Sequence, residues 1–139
     1  MSNNNSITII GNLVNDPELR FNDAGKATMT ARVAVNERYY RNDNAGERTN
    51  YFNIVCWDSL AENTSYSVKK GDRVIVSGRL QIQQYKTSAE HSSWFTEIVA
   101  DEIGVSTRWA IAQPRKEVRV EEAVVSIDND LAIYGGVDI

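Results

Sequence analysis

The stretch "ATMTARVAV" (residues 27–35) decides the fold class, because apolar and polar side chains alternate along it. Its apolar positions on one side are Ala27, Met29, Ala31, Val33 and Val35. Thr28, Thr30 and Arg32 fall between them and point the other way. A two-residue period is the repeat of a β-strand that buries one face, so the stretch predicts a half-buried strand.

Four more segments predict strands, because they are short, rich in β-branched or aromatic residues and separated by polar stretches. They are residues 6–13, 50–57, 74–85 and 93–103. One helix is indicated between the third and fourth strands, at "SLAENTSYSV" (59–68), where Ser59 and Glu62 have the spacing of a capping box. The glycine of "KKGD" (69–72) is expected to end this helix.

The predicted order of these elements is that of the OB-fold, an all-β, five-stranded Greek-key barrel with one short helix between strands three and four. We expect this domain to occupy residues 1–110. Two long polar loops, 40–49 and 86–93, are expected between paired strands, and "DPELRFNDAGK" (16–26) is expected to be irregular chain with a turn.

The end of the chain, residues 111–139, differs in character from the rest. Its periodicity is weak and it contains a proline and a Gly-Gly pair, so we expect an acidic C-terminal tail that is flexible or partly extended. Residues 117–127 are apolar and β-branched, however, and an extra strand there is the alternative.

Charge is distributed unevenly along a chain whose formal net charge is -4. Residues 26–86 carry ten basic and six acidic side chains, whereas residues 120–139 carry five acidic and no basic ones. Local potential rather than total charge governs binding, so the basic central region is suited to an anionic partner.

The residues needed for catalysis or metal binding are scarce. His91 is the only histidine and Cys56 the only cysteine, and no glycine-rich phosphate loop is present. We therefore expect no enzymatic activity, no metal and no cofactor, and we interpret Cys56 as a buried small apolar residue. No apolar run approaches the ~20 residues needed to cross a bilayer, and the N-terminus does not resemble a signal peptide, so we expect a cytoplasmic protein without membrane contact.

Aromatic and basic residues gather around the central loop and the later strands in a way that suits single-stranded nucleic acid. Aromatic rings stack on unpaired bases of any kind, and Lys or Arg contacts the phosphates. The candidates for this role are Tyr39, Tyr40, Arg41, Tyr51, Trp57, Lys70, Arg79, Tyr85, Lys86 and Trp94.

Each candidate also has a simpler interpretation. Trp57 and Phe52 could equally belong to the core, since strands are rich in packed aromatics. Adjacent Tyr39 and Tyr40 should face opposite ways, with one presented and the other packed. A basic residue such as Lys70 could equally be a solvated surface charge or a phosphate contact.

Five ordered blocks of the sequence resemble the bacterial single-stranded DNA-binding protein family, and its actinobacterial branch most closely. The blocks are "TIIGNLVNDPELRF" (8–21), "VAVNERYYR" (33–41), "YFNIVCWDSLAEN" (51–63), "VKKGDRVIVSGRL" (68–80) and "FTEIVADEIGVSTRWA" (95–110). The resemblance covers about residues 6–110 and implies sequence-tolerant binding and protection of single-stranded DNA in replication, recombination and repair. It also implies a homotetramer in which the first strand pairs across subunits, associated with the nucleoid.

The resemblance further implies roles for individual residues. The positions of stacking aromatics match Tyr39 or Tyr40, Tyr51, Trp57 and Tyr85, and a basic position matches Lys70. Asn53 and Gln84 stand where the family often has a basic residue.

The last residues depart from the family, whose tails end in acidic residues followed by Pro-Phe and recruit genome-maintenance enzymes. Here the chain reads "SIDNDLAIYGGVDI" (126–139), so we expect such recruitment to be weak. A protein-interaction module and a single-stranded RNA-binding protein are the alternative functions.

Overall fold

A computed structural model describes residues 4–86, 88 and 91–116 of the 139-residue chain. Within these residues the chain forms six strands and one helix. They are β1 (Ile7–Leu13), β2 (Glu18–Phe21), β3 (Ala27–Arg41), β4 (Asn44–Trp57), α1 (Asp58–Ser67), β5 (Arg73–Lys86) and β6 (Ser92–Val105).

Five of the strands close into a barrel. The strand order is β1-β5-β6-β4-β3-β2, and a further pairing of Asn12 and Leu13 with β3 joins β1 to the other end of the sheet. β4 and β6 run parallel, whereas the other pairs are antiparallel. This closed barrel, with its short helix between the third and fourth barrel strands, confirms the predicted OB-fold.

The core lies inside the barrel and follows the predicted alternation. Met29 and Val33 of β3 are fully buried, with Ile54 of β4, Val76 of β5 and Ile98 of β6. α1 adds Ala61, and Cys56 is buried as expected. Burial raises the pKa of the Cys56 thiol to about 11, so the thiol stays protonated and unreactive at neutral pH.

Barrel closure requires a glycine in β1. β1 pairs with β5 as far as Asn12, and its last two residues pair with β3. At Gly11 a side chain would collide with the carbonyl oxygen of Ala34 and press on the Val33 side chain. Only a residue without Cβ lets β1 and β3 approach this closely.

The predicted long loop at residues 40–49 is wrong. β3 continues to Arg41 and β4 begins at Asn44, so that a two-residue turn, Asn42 and Asp43, joins them. Both turn residues have positive φ, 53° and 64°, as a type I′ hairpin turn requires. Residues 36–49 therefore form a β-hairpin, the β3–β4 arm. The predicted loop 86–93 is also shorter, because β5 extends to Lys86 and β6 begins at Ser92.

Two local predictions before and after β4 also need correction. Part of the supposedly irregular segment 16–26 forms β2, which pairs with the first residues of β3. The capping box is wrong, because α1 already begins at Asp58 and its N-cap position, Trp57, makes no side-chain hydrogen bond. β4 runs straight into the helix, which leaves Ser59 inside the first turn.

The segment after β6 has neither helix nor strand up to residue 116. The guanidinium carbons of Arg73 and Arg108 lie 4.6 Å and 5.0 Å from the centre of the Trp109 ring in this segment. The predicted alternative strand at 117–127 lies outside the described residues. Within the described part of the chain, α1 is too short and too polar to be a membrane-spanning helix, and no other helix there qualifies.

Candidate nucleic-acid interface

Side chains of β4 that point away from the core form part of the outer face of the barrel sheet. Since Ile54 and Cys56 point into the core, Tyr51, Asn53 and Trp57 point outward. The Tyr51 side chain is 53% exposed, and Trp57 is partly exposed where β4 meets α1. Arg32 on the neighbouring strand lies with its guanidinium carbon 4.6 Å from the centre of the Tyr51 ring and so covers one side of that ring.

A line of polar side chains crosses this face through four strands. The register pairs Arg32 with Asn53, Asn53 with Glu97, and Glu97 with Gln81. We call these four residues the polar row. Gln81 Nε2 donates a hydrogen bond to Glu97 Oε1 at 3.3 Å, and Asn53 Nδ2 donates to the carbonyl oxygen of Thr96 at 3.3 Å.

An open cleft of about 320 Å³ lies against the polar row. Arg32, Asn53 and Glu97 form part of its surface, with Phe95 as an aromatic wall. Asn15 and Asp16, in the segment before β2, and Glu18, the first residue of β2, also line the cleft. We call this the outer cleft. Partial burial there raises the pKa of the Glu97 carboxyl.

The two tyrosines at the end of the β3–β4 arm point in opposite directions. Tyr40 is 79% exposed, on the same side of the hairpin as Tyr51. Tyr39, on the other side, lies across Gly46, with the Arg48 guanidinium 5.6 Å from its ring centre. Tyr40 is therefore presented outward, and Tyr39 packs within the hairpin while remaining 41% exposed.

Two of the arginines in the arm are already paired with acidic residues. Arg38 lies 3.5 Å from Glu47, and Arg48 lies 3.4 Å from Glu37. Because the arm holds three arginines and three acids in residues 36–49, its formal charges balance. Arg41 forms no ion pair with any residue that the structure describes.

The remaining candidates are spread over three places. Tyr85 and Arg79 lie on the outward side of β5, opposite Ser93 and Val99 of β6. Trp94 is 67% exposed but pairs with Gln84, which puts it, like Lys86, on the other side of the β5–β6 hairpin. Lys70 is in the turn before β5, where its backbone N–H donates to Asp16 Oδ1 at 2.8 Å.

A sequence model of the single-strand binding protein family matches residues 4–106, which include the whole barrel. The chain belongs to the single-strand binding protein family. The family expected from the five sequence blocks is thus confirmed.

Individual relatives agree with this membership and include actinobacterial proteins. The chain is 38% identical over 123 residues to a single-stranded DNA-binding protein of Paenarthrobacter nicotinovorans, covering 86% of this chain and 72% of the relative. It is 37% identical over 123 residues to the corresponding protein of Mycobacterium leprae, with 86% and 73% covered. The crystal structure of a small single-stranded DNA-binding protein from Streptomyces coelicolor matches with a TM-score of 0.64 and 29% identity, covering 76% of this chain and 97% of that one.

The structure brings some of the candidate residues of this family member together and separates others. Tyr40, Tyr51, Trp57, Arg79 and Tyr85 share the outward side of the sheet. The remaining candidates, Tyr39, Arg41, Lys86 and Trp94, lie on the opposite sides of the two hairpins, and Lys70 is at the edge of the outer cleft.

Sequence reasoning missed four residues of this face: Arg32, Gln81, Phe95 and Glu97. Alternation carried a signal for two of them, because Gln81 lies four residues from Tyr85 on the same strand and Arg32 faces away from the apolar side of residues 27–35. The sequence does not reveal the register between the strands, which aligns one residue from each of four strands into the polar row.

Proposed function

We propose that this chain binds single-stranded DNA with little dependence on base sequence and covers it during DNA replication, recombination and repair. The observation that carries the proposal is that the exposed rings of Tyr51, Trp57 and Tyr85 share the outward side of the sheet, the side on which the polar row lies. Each ring can stack on an unpaired base, and one such stack contributes about 1–3 kcal/mol whatever the base. The family of the chain and the names of its relatives support the same function.

Phosphate contacts are assigned to basic residues that have no acidic partner. Arg41, Lys70, Arg79 and Lys86 are exposed and form no ion pair within the described part of the chain. Each phosphate contact releases condensed counterions, so binding should weaken as salt rises. Arg38 and Arg48 contribute less, because a phosphate must first displace Glu47 or Glu37.

The proposal describes a binding protein without catalytic activity. His91 is the only histidine in the sequence, and among the described residues no group of three or more His, Cys, Asp or Glu side chains is placed to hold a metal ion. Binding to chromosomal DNA would place the protein in the cytoplasm, with the nucleoid. We propose that residues 1–110 bind DNA and that 111–139 act as an acidic tail that recruits genome-maintenance enzymes only weakly.

Self-association into a homotetramer through β1 is part of the proposal. Only Asn12 and Leu13 of β1 pair with β3, so the rest of that strand edge offers backbone groups to another chain. Beside the edge, Ile10 and Ile75 are register partners on the outer face, 44% and 38% exposed. Sedimentation at micromolar concentration should detect tetramers, and a purely monomeric profile would contradict this part.

Fluorescence titration tests the DNA-binding proposal. Adding dT oligomers to the full-length chain should quench tyrosine and tryptophan emission, and the apparent affinity should fall as salt is raised. Lys70→Ala should reduce the salt slope by about one phosphate contact. Absence of quenching at low salt would refute the proposal, and stronger binding of rU than dT oligomers would indicate RNA as the ligand.

A further inference from the structure

We propose that the outer cleft receives one unpaired base and that Glu97 favours bases with an exocyclic amino group, such as cytosine, over thymine. This inference rests on the proposed DNA binding and identifies which part of the nucleotide the cleft contacts. The preference is a modest bias within sequence-tolerant binding.

The charges around the outer cleft argue against a phosphate inside it. Asp16, Glu18 and Glu97 line the cleft, with Arg32 as the only basic side chain among its lining residues. A phosphate would meet net negative charge there and is better placed near Arg79 and Lys70 outside. An uncharged base does not meet this repulsion.

The shape and surfaces of the cleft fit a flat ring. Its volume of about 320 Å³ is open to solvent, and Phe95 supplies an aromatic wall. Two residues before Asn53 on the same face, Tyr51 has one ring side covered by Arg32, which leaves the other side for stacking. A base that stacks beside the polar row would direct its hydrogen-bonding edge at Asn53 and Glu97.

The hydrogen bonds already made within the polar row determine which donor or acceptor groups the edge of the base needs. Glu97 receives one hydrogen bond, from Gln81 to Oε1, and no other described residue donates to it. Asn53 is anchored through its amide nitrogen to Thr96. An ionised carboxylate only accepts hydrogen bonds, so Glu97 Oε2, which is not a buried unsatisfied atom and is open to water, can exchange that water for a donor of the ligand.

The bases differ in how favourably they supply that donor. The N4 amino group of cytosine can donate to a carboxylate from the side that has no neighbouring acceptor, whereas the only donor of an unpaired thymine, N3–H, lies between O4 and O2, and these two acceptors repel a carboxylate. Because Glu97 is partly buried, which raises its pKa, its carboxylate lacks some of the hydration that an exposed one has. A hydrogen-bond donor of the ligand replaces that hydration. A ligand with such a donor should therefore gain more affinity at Glu97 than at a fully exposed carboxylate.

The test measures affinities of the full-length chain for dC and dT oligomers of equal length, and for a dC oligomer methylated twice at N4. Wild type should bind the dC oligomer more tightly than its dimethylated form. Glu97→Gln should lower affinity for dC relative to dT by about three- to tenfold and should reduce the discrimination against N4 methylation, because the amide keeps only one uncharged acceptor oxygen.

Glu102→Gln is the matched control. It removes the same charge from β6, but Glu102 pairs with Ser77 and is not among the residues that line the cleft. It should change the affinities for dC and dT by the same factor. Melting temperatures of both variants test whether either change disturbs the fold.

The outcomes separate this inference from the proposed function. If no oligomer binds to wild type, the DNA-binding proposal itself fails. If oligomers bind but wild type ignores N4 methylation, or Glu97→Gln leaves the dC-to-dT ratio unchanged, the base pocket is refuted and DNA binding stands. The methylation comparison needs no variant and therefore does not depend on Glu97→Gln folding.

Discussion

The β3–β4 arm and the outer cleft both contain aromatic, arginine and acidic side chains, but the arm is an exposed hairpin and the cleft lies on the barrel wall. The arm projects beyond the core, and two of its three arginines, Arg38 and Arg48, are paired across the hairpin with Glu47 and Glu37. The cleft belongs to the barrel wall, where the strand that carries Glu97 also carries the fully buried Ile98. This difference indicates that the arm can adjust to the strand it contacts, whereas the cleft holds its groups in fixed positions and is better suited to discrimination.

The largest expected contrast is in stability. Ile98→Ala removes a fully buried side chain behind the cleft and should lower the free energy of unfolding by about 2–5 kcal/mol. Tyr40→Ala, on the exposed arm, should change it by no more than about 0.5 kcal/mol. Chemical denaturation of both variants checks this, and similar losses would mean that the arm is as tightly integrated as the wall.

The next contrast concerns DNA affinity. Tyr51→Ala and Trp57→Ala should each weaken oligonucleotide binding by about 1–3 kcal/mol, the value of one lost stack. Tyr40→Ala should weaken it less, because no described residue holds that ring in place by a cation–π contact, as Arg32 holds Tyr51. Anisotropy titrations with a labelled dT oligomer measure the three losses.

Circular dichroism serves as the folding control for these variants. A greater loss for Tyr40→Ala than for Tyr51→Ala would reverse the comparison and make the arm the principal stacking surface. Unchanged affinity in folded Tyr51→Ala and Trp57→Ala would assign both rings to another interface.

A smaller effect should appear when the charge balance of the arm is changed. Glu47→Gln releases Arg38 from its ion pair and leaves the arm with net positive charge. Binding should tighten by about 0.3–1 kcal/mol at low salt and return to the wild-type value at high salt, since exposed charges are screened. Equal tightening in Glu102→Gln, which lies outside the arm, would show that only total charge matters.

The smallest expected effect is the pH dependence of stability. Burial raises the pKa of Glu97 in the folded state, so the folded chain holds its proton to higher pH than the unfolded chain does. Stability should therefore decrease as pH rises from the ordinary pKa of glutamate through the raised value, and Glu97→Gln should lack this component. Melting temperatures across that acidic range compare the two proteins, and identical profiles would mean that the cleft does not desolvate Glu97.

Residues of the arm show where sequence interpretation failed. Residues 40–49 are polar and include Asn42, Asp43 and Gly46, so they resemble a loop. They pair nonetheless, because two turn residues accept positive φ and opposite charges face each other across the strands. The arm has no core to face, and hydrophobic alternation is absent where no face is buried.

The capping box failed for a related reason. Ser59 and Glu62 have the right spacing, but spacing alone does not specify which residue begins the helix. That start is determined by β4, which delivers the chain to α1 at Asp58 with φ of 60°. A local motif was overridden by the element that precedes it.

The sequence by itself determined the barrel, its inward residues and the family, because alternation and ordered motifs are local properties that each segment carries alone. Only the tertiary structure decided that Arg32, Asn53, Glu97 and Gln81 form one row. Their alignment depends on the register between strands that are distant in the chain. Register results from packing the whole barrel, since shifting a strand by one residue would turn its core residues outward.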